Sequence, residues 1–100
     1  MNKYLILLIL FGLVALPVSA YAFKGQALSN DAKISIEQAR TTALKSCPGK
    51  ISDEELEKEK GGSGLRYSFD MKNGKDVQEI GIDAVTGKVL ESRKEGAHPD

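Results

Sequence analysis

The chain has 100 residues, with 14 lysines and arginines balanced by 14 aspartates and glutamates. That length holds one domain at most, and an even charge balance without a basic stripe lacks the footprint of a nucleic-acid binder. A single cysteine, Cys47, excludes an intrachain disulfide, so a domain this small must be held by one well-packed interface between layers.

The first 22 residues read as a cleavable secretory signal peptide. Lys3 is the only charge before Lys24, residues 5–16 form an apolar run broken only by Gly12, and Pro17 ends any helix there. The small residues that follow suit signal peptidase. Ala20-Tyr21-Ala22 is the closer match to an A-x-A site, so cleavage is expected after Ala22, with cleavage after Ala20 as the alternative. A membrane anchor needs roughly 20 apolar residues, and this run stops short of that. The chain is therefore expected to be exported, periplasmic or secreted, with no stable membrane anchor after cleavage.

Residues 23–33 show no period and read as a mostly flexible lead-in. The domain is expected over 34–94, with 95–100 as a disordered tail. Ser35 opens a helix: with Gln38 three residues on, it fits a capping box, in which each side chain satisfies an orphan backbone donor. Ile36, Ala39, Ala43, Leu44 and Cys47 recur at helical spacing and make one apolar stripe. Pro48-Gly49 stops the helix.

Gly61-Gly62-Ser63-Gly64, Asn73-Gly74 and Asp83-Ala84-Val85-Thr86-Gly87 are turn signals. They divide the remainder into strand-length segments at about 50–60, 65–72, 76–83 and 88–94. The second alternates, with Leu65, Tyr67, Phe69 and Met71 to one side and Arg66, Ser68 and Asp70 to the other. A two-residue Asn73-Gly74 loop pairs Lys72 with Lys75. It sets Phe69 opposite Gln78, Tyr67 opposite Ile80 and Leu65 opposite Ile82, and gathers the apolar residues on one face. Leu56 is expected opposite Phe69. Ile51 is out of phase with Leu56, which predicts a bulge. Val89 and Leu90 are adjacent, and the pattern leaves open which one faces in.

One helix followed by four antiparallel strands predicts an α+β fold. The N-terminal helix covers the apolar face of a four-stranded antiparallel sheet and the other face stays wet. The charged first strand suits a sheet edge.

The order of parts resembles the PepSY domain, a small module named for the propeptides of secreted metallopeptidases and a spore-cortex protein. The resemblance rests on Ile-Ser-Ile-Glu-Gln-Ala at 34–39, Pro-Gly-Lys at 48–50, Glu-Leu-Glu at 55–57 and Tyr-Ser-Phe at 67–69. It ends on Ile-Asp-Ala-Val-Thr-Gly-Lys-Val-Leu at 82–90. It implies the same helix-on-sheet fold, an extracytoplasmic setting, and a role in inhibiting or chaperoning peptidases. No peptidase is attached to this chain, so its target is open.

No catalytic constellation stands out, and the chain is expected not to be an enzyme and to use no cofactor. The only histidine, His98, is two residues from the C-terminus, so Cys47 has no evident base. As a small hydrophobe under the helix end, Cys47 is ordinary; as a lone exported thiol it raises the possibility of intermolecular pairing. The acids Asp53, Glu54, Glu55, Glu57 and Glu59 alternate between faces and lack calcium-loop spacing, so no metal site is expected. Asp83 reads as a turn-capping residue, and the glycines at 61, 62 and 64 as a hairpin connector. What remains is a protein-binding module, its partner expected to be a peptidase, or else a small-ligand or envelope-sensing domain. The candidate binding residues are Arg66, Ser68, Asp70 and Glu79 on the wet face, with Ser68 and Glu79 expected opposite each other.

Overall fold

The computed structural model describes residues 22–95. The expected leader lies outside them except for Ala22, and the expected tail except for Glu95. Helix α1 (Ile36–Ser46) precedes strands β1 (Lys50–Lys58), β2 (Leu65–Asn73), β3 (Asp76–Asp83) and β4 (Val89–Glu95). The strands form one antiparallel sheet in the order β1-β2-β3-β4.

The helix begins where its cap demands. Ser35 Oγ accepts from the Gln38 N–H at 3.1 Å, and Gln38 Oε1 accepts from the Ser35 N–H at 2.9 Å. Ile36, Ala39 and Ala43 are buried against Leu56, Leu65, Tyr67, Phe69, Met71, Ile80 and Ile82. The small alanines let the helix lie close to the large side chains that the sheet raises toward it. Leu44 departs from the expected stripe and is 41% exposed. It sits one residue, about 100°, around the helix from Ala43 and clears the sheet. Cys47, the C-cap residue, is half-buried against the core and is a free thiol.

The expected faces hold, but two registers differ. Asn73 pairs with Asp76, so the two-residue loop is Gly74-Lys75, with Gly74 at φ 69°. Phe69 therefore faces Ile80, Tyr67 faces Ile82, and Gln78 faces Met71. The shift is two residues, an even number, so every side chain keeps its face. Likewise Leu56 lies opposite Tyr67, not Phe69, because the β1–β2 loop takes six residues. The predicted bulge is present between Ile51 and Asp53. A second irregularity between Gly81 and Ile82 leaves Val89 exposed and Leu90 half-buried.

Within residues 23–33, expected to be a mostly flexible lead-in, the segment 23–31 is strapped to the edge of β1. The Leu56 N–H donates to the Lys24 carbonyl at 2.8 Å, and Lys24 bridges Glu55 in parallel. A 3-10 helix (Gln26–Asp31) follows Gly25. Gly25 adopts φ +82°, and a Cβ there would collide with the Leu56 carbonyl. Phe23 tilts against Tyr67 at 6.3 Å between ring centroids, and Leu28 packs on the core. The strap closes where Lys33 and Ile34 both donate to the Ala84 carbonyl, while Tyr67 Oη donates to the Ile34 carbonyl at 2.9 Å.

Candidate functional site

Helix and strap occupy the apolar face and one edge of the sheet. Among the described residues no helix covers the opposite face, which carries all four candidate residues. Direct cross-strand partners share a face, so the register lays them out in rows. Asp53, Asp70, Glu79 and Arg93 form one row across the sheet; Glu55, Ser68, Gly81 and Glu91 form the next; Glu57 and Arg66 lie beyond.

The four candidates do not behave alike. Arg66 and Ser68, expected to be solvated, are each only 8% exposed. Ser68 Oγ donates to Glu57 Oε2 at 2.8 Å. Arg66 lies flat across β3 because Gly81 has no side chain: a Cβ there would come within 3.2 Å of its Nη1. It reaches Glu91 on β4 at 3.0 Å and donates to the Lys60 carbonyl of the glycine loop at 3.0 Å. Glu91 in turn accepts from Arg93, which also donates to Glu79. Arg66 thus acts as a strut over three strands. Its Nε is a buried side-chain nitrogen without a partner. The expected Ser68–Glu79 pairing is replaced, through the two-residue register shift, by Ser68–Gly81 and Asp70–Glu79.

Asp70 and Glu79 are half-buried neighbours on adjacent strands. Burial raises the Asp70 carboxyl above its ordinary range, Glu95 and Asp53 add to the rise, and Lys24 opposes it. Burial also raises Glu79, with Glu91 next, then Glu95 and Asp70, against the pull of Arg93. Asp70, Glu79 and Glu95 each offer a carboxylate oxygen, all within 4.8 Å of one another. The sequence reading missed Glu95, since its place beside Asp70 depends on β4 pairing with β3.

The remaining polar groups serve the fold. Asp83, 1% exposed, accepts from the N–H groups of Ser63, Val85 and Thr86 and from Ser63 Oγ, at 2.7 to 3.1 Å. It ties the glycine loop to the β3–β4 turn, a wider task than the local cap expected of it. Of the expected edge acids, Glu54 turns to the helix side and takes a two-pronged ion pair from Arg40, at 2.6 and 3.0 Å. His98 lies outside the described residues.

Residues 33–93 match the family described as peptidase propeptide and YPEB domain. The chain belongs to the PepSY family. No curated protein and no solved structure matches it. In this PepSY domain the Asp-Ala-Val-Thr-Gly string supplies the Asp83 hub and the turn that receives the strap. The Tyr-Ser-Phe string supplies two core rings and the buried Ser68. Those strings build the fold and leave the acidic row of the open face to the rest of the chain.

Proposed function

We propose that this is an exported, non-catalytic PepSY domain that binds a protein partner and inhibits or regulates a peptidase in the cell envelope or outside it. The observation that carries this reading is the family match over residues 33–93, in a family described by peptidase propeptides. The geometry agrees with it. The uncovered face offers charged groups that the core does not need, and residues buried beneath them hold that face rigid. Export rests on the leader pattern in residues 1–22, cleaved after Ala22 or after Ala20. No helix among the described residues is long and apolar enough to cross a membrane. Arg66 and Ser68 support the binding face from below, and Asp70 and Glu79 are its contact groups.

The test is capture. Tagged protein is used to draw partners from the envelope and culture fluid of its own source, read by mass spectrometry. Recovery of a peptidase is expected; recovery of none at micromolar concentration would contradict the reading.

A second reading, a small-ligand or envelope-sensing domain, has one observation in its favour. A groove of about 580 Å³ opens between Phe23, Arg40 and residues 51–54, within the size range of ligand sites. It lies at the β1 edge, where Phe23 and Lys24 of the strap form one wall. Native mass spectrometry of protein purified from its source would reveal a retained small molecule.

A further inference from the structure

Asn73 ends β2 and Gly74 opens the loop that follows it, and both are exposed. Gly74 has no side chain to shield its nitrogen, and a Cβ built there would meet nothing within 4 Å. Among the described residues no hydrogen bond engages the Gly74 N–H. That nitrogen and the Asn73 side-chain amide are spaced along the chain to close a cyclic imide. The same side chain carries a tertiary contact. Its Nδ2 donates to the Pro48 carbonyl at 3.0 Å, just past the end of α1. Beside it Gly49 lies so close to β2 that a Cβ would come within 2.6 Å of the Lys72 carbonyl. The end of β2 thus clamps the helix exit, and Cys47 and Asn73 line one groove next to the clamp.

We propose that Asn73 is a self-modification site, where the amide converts to a carboxylate through a cyclic imide with Gly74, and that the conversion loosens the helix exit from the sheet. This site does not depend on what the protein binds. The Gly74 nitrogen bonds to Asn73 Cγ, the Cγ–Nδ2 bond breaks, and ammonia leaves with the proton that Gly74 gives up. Water then opens the imide. Opening at Cγ yields aspartate. Opening at the Asn73 backbone carbonyl carbon yields isoaspartate, whose main chain runs through the side-chain carbons. An ionised carboxylate only accepts hydrogen bonds, so neither product can donate to the Pro48 carbonyl. Isoaspartate also lengthens the backbone inside the Asn73–Asp76 pair that closes the hairpin. The new charge is the smaller disturbance: Lys72 precedes it, Lys75 is in the loop, and Lys94 pairs with Asp76 at 3.8 Å. The pairing with Asp76 and the bond to Pro48 hold Asn73 still, so ring closure proceeds through local opening of the hairpin end.

The experiment incubates the full chain purified from cells in mildly alkaline buffer. Peptide mass spectrometry follows the amide-to-acid mass gain, and a thiol reagent follows access to Cys47. Conversion is expected at Asn73 well before Asn30, which precedes Asp31 and not a glycine. Gly74→Ala should slow it several-fold. That variant strains a positive φ and so loosens the hairpin; slower conversion there can come only from crowding of the attacking nitrogen. Loss of the bond to Pro48 should let the thiol reagent label Cys47 about fivefold faster, in the converted protein and in Asn73→Asp alike. An Asn73 that keeps its amide as long as Asn30 does, or equal rates in Gly74→Ala, would overturn the site. Unchanged Cys47 labelling in both the converted protein and Asn73→Asp would overturn the loosening of the helix exit.

Discussion

Asp83 shows how one side chain connects turn, loop and acid stability. Burial alone would raise its pKa, but hydrogen bonds from Val85, both donors of Ser63, and Thr86 prevail and lower it from 3.8 to about 2. A carboxylate lowered in the folded state stabilises fully above its unfolded value and loses that contribution as pH falls through the folded one. Asp83→Asn should therefore cost about 2 kcal/mol at pH 7. The gap from wild type should close between pH 4 and pH 2 in urea melts; a constant gap would contradict the assignment. Ser68 gives a second residue-scale outcome. Alternation alone puts it on a wet face, where Ser68→Ala would be neutral. Its burial and its bond to Glu57 raise the expected cost to about 1 kcal/mol. Phe69→Ala, at the centre of the core, should cost about 3–5 kcal/mol. Equal thermal shifts for the two would mean that the inward face is misassigned.

At the scale of elements, local signals were legible and long-range ones were not. The capping box and the Pro-Gly stop bounded α1 closely, because both act within a few residues. The alternation of 65–71 marked the core face for the same reason. The hairpin partners were missed by two positions, since Asn73-Gly74-Lys75 allows either of two adjacent two-residue loops and both preserve the faces. The strap was illegible: Phe23, Gly25 and Leu28 have no period, and Phe23 is placed by Tyr67 and Gly25 by Leu56, each more than 30 residues away, while Leu28 packs on the core. The candidate site was half legible. Asp70 and Glu79 fall on the open face as alternation required, whereas the burial of Arg66 depends on Gly81 and Glu91, on strands that only the fold brings beside it. The two glycines that enable strap and hairpin make a paired test. Gly74→Val strains a positive φ in open space and should cost about 1–3 kcal/mol. Gly25→Val adds a collision with Leu56 to the same strain, so it should undock the strap and expose residues 23–31 to hydrogen exchange. Full protection of those amides in Gly25→Val would argue that the strap does not need this close approach.

For the whole molecule, one layer of helix on one sheet face leaves the other face available, and the acidic row there is the feature that folding least requires. The reading also depends on where the protein works. Mass spectrometry of the N-terminus of the cell-processed chain should find Phe23 first, or Tyr21 under the alternative cleavage. Intact Met1 in the membrane fraction would replace the exported domain with an anchored one. Phe23 itself packs on Tyr67, so cleavage before it keeps the whole strap. The most direct measurement of the central claim is a titration of the purified protein into the secreted metallopeptidases of its own source, followed by residual activity. The account predicts that one of them loses activity in proportion to added protein up to a fixed stoichiometry. It also predicts that Asp70→Asn/Glu79→Gln shifts this curve by at least tenfold. Full activity of every such peptidase at micromolar concentrations of the folded protein would contradict it.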